Sequence, residues 1–272
     1  MKKRFIILID FSEYSGNLLK FAYDWGKQVN AELLLVHQTI VLTPGLADYD
    51  SSKSIAEHDN DEALQKLKTL VMELIPASVE VSYSVSESNL ELTLSTLLAE
   101  PYQNLIFVGL KGTGLLKKIF LGSVALQVIN STKNIVVAIP KEITSFSHKN
   151  IFVGVTEKHP LNLFELNNFL KLIDKENTSI TFFYLSKPHK KTKGTEKKLK
   201  DLSVMFSDRF NTGFAIYEGN NPFDDIKKII NNKNDEMLIV QKGSRHLTDQ
   251  LFRKFLINEL VYEGQTPLIV LP

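Results

Sequence analysis

The amino-acid sequence predicts an α/β protein built of two tandem copies of a five-stranded parallel-sheet domain. Three observations carry this. Short apolar runs alternate with longer stretches of helical periodicity in the order β-α-β-α-β-α-β-α-β, the pattern of a doubly wound parallel sheet. The same order starts again near residue 150. The two passages also end alike, Ile135-Val136-Val137-Ala138-Ile139-Pro140 against Leu268-Ile269-Val270-Leu271-Pro272, and a Lys-Gly pair (Lys111-Gly112, Lys242-Gly243) precedes each ending at nearly the same distance. Such self-similarity marks an internal duplication, and the chain's 272 residues suffice for two domains of about 130 residues each.

In the first passage, residues 5–9 are continuously apolar, as a strand covered on both faces must be. Ser12 and Ser15 are placed to cap the next helix, whose Leu18, Leu19, Ala22 and Trp25 form an apolar stripe. Residues 33–36 are the second strand. Residues 38–60, with Pro44, Gly45 and an Asp-Tyr-Asp-Ser-Ser run, read as an irregular polar connection. Leu64, Leu67, Leu70, Val71 and Leu74 then recur at helical spacing up to Pro76. Val79, Val81, Tyr83 and Val85 alternate as a half-buried strand does. Residues 90–99 read as a helix, 105–108 as a strand, 124–129 as a helix and 135–139 as the closing strand, stopped by Pro140.

Residues 141–149 look like a short polar linker, so the domains are read as 1–141 and 149–272. In the second, 151–155 is a strand, and Phe164, Phe169, Leu170 and Ile173 mark a helix after Pro160. A strand at 180–185 leads to a helix at 195–210 with Leu199, Leu202, Met205 and Phe206 on one face. Segments 214–217, 226–230, 237–240, 251–261 and 268–271 complete the order.

Composition excludes several functions. With 43% hydrophobic residues, 23% charged residues and a net charge of +1, the chain has no electrostatic footprint for nucleic acid or an anionic membrane. The basic stretch around Lys190, Lys191, Lys193, Lys197, Lys198 and Lys200 lacks interleaved aromatics and reads as a solvated face. Without cysteine there are no disulfides and no thiolate chemistry. The six histidines (37, 58, 148, 159, 189 and 246) show no metal-ligand spacing, and His37 reads as a packing or capping residue. The apolar run at 5–9 is too short for a signal peptide, and nothing approaches the roughly 20 apolar residues that span a bilayer. The expected location is cytoplasmic.

Chemistry concentrates in 105–140. An apolar strand ends in Gly109; Gly112 follows, and Gly122-Ser123 opens a helix. Glycines permit close backbone approach, and a helix start offers free N–H groups and a positive dipole end to an anion. The stretch is either a phosphate cradle or turn punctuation, and it has neither a P-loop ending nor a G-x-G-x-x-G pattern. Lys117 and Lys118, inside this loop, face either phosphate or solvent.

With Asp10-Phe11-Ser12 after strand one, Leu34-Leu35-Val36-His37 at the end of strand two, and G-x2-G-x9-G-S formed by Gly109, Gly112, Gly122 and Ser123, the first copy resembles the universal stress protein family throughout. The second copy fits the same order, so the chain looks like a tandem member. The resemblance implies a Rossmann-like fold of the adenine nucleotide alpha hydrolase type and a stress-response role. It also implies ATP, for which Mg2+ or Mn2+ is an allowed companion. Gly109, Gly112, Gly122 and Ser123 would hold phosphates and ribose, with Asp10 and Val36 framing the adenosine. An open parallel sheet binds ligands at the carboxyl ends of its strands, where these residues fall. The second copy departs from the motif. Thr156-Glu157 replaces the Asp, Gln241 stands in the place of Gly109, and Lys254-Phe255 replaces Gly-Ser. One nucleotide per chain is expected, in a regulatory module without strong catalysis. The alternatives are a slow ATPase or phosphoryl-transfer enzyme, against which stands the lack of a paired carboxylate or water-positioning base, and a nucleotide-free interaction protein. The apolar closing strands should pair antiparallel and make an intramolecular pseudo-dimer, which leaves further homo-oligomers open.

Overall fold

Phe5, Ile6 and Ile7 are wholly buried in the middle of β1 (Lys2–Leu8). A strand apolar at consecutive positions needs cover on both faces. Helices α1 (Ser15–Val29) and α2 (Tyr49–Leu74) supply it on one side, and α3 (Leu90–Leu98) and α4 (Ser123–Ser131) on the other. The remaining strands of this half are β2 (Glu32–Gln38), β3 (Val81–Ser86), β4 (Tyr102–Leu110) and β5 (Val136–Pro140). The C-terminal half contributes β6 (Asn150–Gly154), α5 (Leu163–Leu170), β7 (Ser179–Ser186), α6 (Lys193–Phe206), β8 (Asn211–Glu218), β9 (Glu236–Gln241) and β10 (Leu268–Leu271). The structure, a computed structural model, describes residues 1–40, 48–110, 123–141, 143–157, 160–186, 192–218, 235–242 and 266–272. The segments read at 226–230 and 251–261 lie outside the described residues.

These strands form one ten-stranded sheet in the order β3-β2-β1-β4-β5-β10-β9-β6-β7-β8. Neighbours are parallel except at the centre, where β5 and β10 run antiparallel with Leu268 opposite Ala138 and Val270 opposite Val136. The order is palindromic about this seam. Each apolar closing strand covers the other's open edge, as their sequences lead one to expect.

The seam continues into the layer of α1 and α5. Trp25 is fully buried, stacks on Phe146 with centroids 4.6 Å apart, and meets Phe5, Phe21, Phe107 and Phe169 edge-on or tilted, Phe21 and Phe107 also meeting each other. Its indole N–H donates to the Leu172 carbonyl of the other half at 2.8 Å, satisfying the one polar atom such a ring carries. The Gln103 amide donates to the Asn168 carbonyl beside it.

Several local expectations are corrected. The stretch 38–60 is not wholly irregular, because α2 begins at Tyr49. Asp48 caps it by accepting the Ser51 N–H at 2.7 Å, and Asn60 ties it to the sheet ends through Thr39 and Glu87. A cap and lateral hydrogen bonds compensate there for poor intrinsic propensity. The linker is not simply polar, since Ile143 is buried and Phe146 packs into the aromatic cluster. Val79 lies in a turn, donating to the Pro76 carbonyl, ahead of the strand. Met205 is 52% exposed and does not join Leu199, Leu202 and Phe206, and Phe164 is 71% exposed at the first turn of α5. Lys198, read as part of a solvated face, is half-buried and donates to the Thr156 carbonyl.

Candidate functional site

Order reverses between β1 and β4, whose helices lie on opposite faces, so the carboxyl ends of these strands open a crevice. Register fixes what meets there. Ile7 is opposite Phe107 and Leu8 opposite Val36, which puts Ile9, His37 and Gly109 in one row; Gly109 is in turn opposite Ile139. Asp10 follows directly on this rim.

Asp10 is exposed, and its Oδ1 accepts the Ser12 N–H at 3.0 Å and the Ser15 hydroxyl at 3.2 Å. The Asp-x-Ser spacing is that of an Asx-turn, in which a short carboxylate bonds backbone two residues on. Ser12 and Ser15 therefore hold the aspartate and do not cap α1. The residue preceding that helix is Tyr14, which makes no side-chain cap bond. Between Asp10 and Ser12, Phe11 has φ of 54°, a left-handed conformation costing a bulky residue about 1–3 kcal/mol. Its ring lies 4.4 Å from that of His37. His37 is half-buried and its Nδ1 lies 2.7 Å from the Ile9 carbonyl. A carbonyl can only accept, so Nδ1 carries the proton. His37 thus packs and braces the rim, as expected.

Val36 sits one row below. Its side chain is buried on the α3–α4 face, and its carbonyl accepts the Ile9 N–H at 2.9 Å. It frames the crevice from beneath, while His37 stands at the rim itself. Gly109 is half-buried and needs no positive φ. A Cβ placed on it would touch only Leu18 Cδ2, at 3.9 Å. No neighbour in the described protein demands a glycine here, although glycine inside a strand costs about 0.5–1 kcal/mol relative to alanine. Ser123 is the first residue of α4, where the sequence places the helix start. Gly112, Gly122, Lys117 and Lys118 lie outside the described residues. Beside the rim, a cleft of about 380 Å³ between the start of α1 and α2 is lined by Phe11, Ser12, Ser15, Lys66, Leu70 and Glu73 among others.

The corresponding crevice of the C-terminal half is built differently. Gln241 is opposite Leu271 as Gly109 is opposite Ile139, and the Val155 N–H donates to Phe183 as the Ile9 N–H does to Val36. Gln241 is thus the equivalent of Gly109, and Thr156 of Asp10. The Gln241 side-chain carbonyl accepts the Asn162 N–H at the start of α5 at 2.5 Å, and the Thr195 hydroxyl donates to Glu157 at 3.1 Å. The same register makes Lys242 the equivalent of Leu110, while Lys111, Gly112 and Gly243 lie outside the described residues. Lys254 and Phe255 lie outside the described residues.

Among solved structures the chain is similar to a universal stress protein from Archaeoglobus fulgidus, with 16% identity, a TM-score of 0.63, and coverage of 99% of this chain and 98% of that one. It is also similar to a functionally unknown protein from Pseudomonas aeruginosa (14%, TM-score 0.58, covering 99% and 92%) and to the cytoplasmic domain of a prokaryotic cation chloride cotransporter (12%, TM-score 0.51, covering 99% and 95%). At such identities these likenesses concern the fold alone. No curated protein matches the chain in sequence. Among the described residues no helix is long and apolar enough to cross a membrane. The sequence profile of the universal stress protein family matches residues 1–140, just over half of the chain and the whole of its first five-stranded unit. The chain belongs to the universal stress protein family.

Proposed function

We propose that the N-terminal half binds one adenine nucleotide, ATP, across the carboxyl ends of β1, β2 and β4, that the C-terminal half binds none, and that the bound nucleotide regulates the protein's part in a stress response. The contrast between Gly109 and Gln241 carries the reading. At equivalent register, one half reaches the start of its first helix with an amide side chain, and the other has a glycine that no neighbour among the described residues requires. A glycine where no described neighbour needs one favours a ligand that approaches the backbone. Asp10 and the rim at Val36 and His37 would then face adenosine. Gly109, Gly112, Gly122 and Ser123 would face ribose and phosphates, with the start of α4 supplying N–H groups and a favourable dipole. No three His, Asp or Glu side chains gather around a metal position among the described residues, so Mg2+ or Mn2+ would arrive on the phosphates.

Calorimetry with ATP tests this, with an expected stoichiometry of one per chain. A value of two, or no heat of binding at millimolar ATP, overturns it. The engagement of Asp10 by Ser12 and Ser15 favours a second reading, a nucleotide-free interaction module, and the absence of binding would select it. ATP hydrolysis well above background and lost in Asp10→Ala would instead make the protein a slow ATPase.

A further inference from the structure

Lys242 follows β9 at the position that Leu110 holds in the other half. Leu110 is 4% exposed in the apolar layer with Ala125, Val128 and Ile129 of α4. Lys242 turns out of its own half. Its ammonium donates to the Asn130 carbonyl at 2.5 Å and the Thr132 carbonyl at 3.4 Å, both at the end of α4. The last carbonyls of a helix have no intrahelical partner and carry the negative end of its dipole. The final turn of α4 contains no basic residue of its own. The C-terminal half therefore supplies the cation that this helix lacks, at a half-buried position where water competes less well for it.

We propose that Lys242 is a positioning residue lent by the C-terminal half to the N-terminal site: by holding the end of α4 it sets where Ser123, at the other end of the same short rod, stands. The inference rests on the nucleotide reading, which puts the phosphates at that first turn. It gives the second copy a task that needs no nucleotide site of its own.

The test uses the full chain with Lys242→Met and Lys242→Arg, and reads amide hydrogen exchange over 124–132 together with affinity for ATP and for adenosine. Lys242→Met should speed exchange in α4 and weaken ATP by roughly three- to tenfold. Adenosine, which has no phosphate, should bind as before, and Lys242→Arg should restore both readouts. Equal loss of ATP and adenosine, unchanged ATP affinity, or unchanged exchange in α4 overturns the inference while the nucleotide reading stands. A wild-type chain that binds no ATP overturns the nucleotide reading, and the link from Lys242 to phosphate falls with it.

Discussion

The two halves share strand order, register and closing strand, yet they treat the same topological opening in opposite ways. In the N-terminal half the rim carries Asp10, His37 and Gly109, with Phe11 held in a left-handed conformation between them. In the C-terminal half Gln241 bonds the start of α5, Lys198 bonds the Thr156 carbonyl, and Thr195 bonds Glu157. One rim holds its aspartate through Ser12 and Ser15 and tolerates strain at Phe11. The other engages Gln241, Lys198 and Thr195 with neighbouring elements. A duplicated fold thus preserves the strand order that creates the opening, while the described side chains around it differ. The asymmetry extends to the seam, where Lys242 reaches α4 from a position whose counterpart is a buried leucine.

Separating the halves should have the largest effect. A fragment of residues 1–148 exposes the apolar edge of β5 and takes Phe169 and the Leu172 carbonyl away from Trp25, so it is expected to dimerise or aggregate. A soluble monomer at high concentration in analytical ultracentrifugation would show that the seam is not needed. Next comes Trp25→Ala. It removes a fully buried ring and leaves the Leu172 carbonyl without its donor, which should cost about 3–5 kcal/mol in denaturant unfolding. A loss under about 1 kcal/mol would place the junction outside the cooperative core.

Gly109→Ala sharpens the comparison at the rim itself. Among the described residues the added methyl meets only Leu18, at 3.9 Å, so stability should hold or rise slightly. ATP affinity should fall by about 1–3 kcal/mol through lost close contacts to the backbone. Unaltered affinity would detach Gly109 from the site. Gln241→Gly, the reverse exchange, should create no second nucleotide site, because the Asp10 equivalent remains Thr156.

The smallest effect concerns pH at the linker. Burial holds the His148 imidazole below its ordinary value of 6.5, only partly opposed by Asp174. Its Nδ1 is 2.7 Å from the Thr178 hydroxyl, which itself donates to the Asp174 carbonyl, so His148 is the donor in this pair. With the folded value depressed, the unfolded chain takes up the proton first as pH falls. The contribution is therefore complete above 6.5 and lost as pH drops from there toward the folded value. The melting temperature of His148→Gln should fall less than that of the wild type between about pH 7.5 and 5.5. Parallel curves would remove His148 from the account.

Much of the fold is legible in residue order because apolar runs and helical stripes are local signals. The apolar run at 5–9, the alternation through Tyr83 and Val85, and the twin closing strands each announced their element. The candidate site was legible as residue types at strand ends. Its bonding was not. Asp10-x-Ser12 carries a turn signature that does foretell the Ser12 bond, but nothing in a phenylalanine foretells φ of 54° at Phe11. The start of α2 was hidden because its first turns are polar, and its cap and lateral bonds matter more there than periodicity. Phe146 was hidden because one aromatic in a polar segment shows nothing until Trp25 is beside it.

The sequence by itself determined the duplication, the parallel order of each copy, the antiparallel meeting of their last strands and the family. The duplication and the parallel order follow from burial patterns that every stretch of chain carries within a few residues. The family follows from residue types at fixed spacing, and the antiparallel meeting from the resemblance to that family together with two apolar edges. Only the tertiary structure decided that Gln241 closes one crevice, that Trp25 spans the seam, and that Lys242 serves a helix of the other half. These contacts join groups 79, 147 and 112 residues apart. A polar atom's partner at such separation is set by how the halves dock, and docking is a property of whole surfaces that no local pattern encodes.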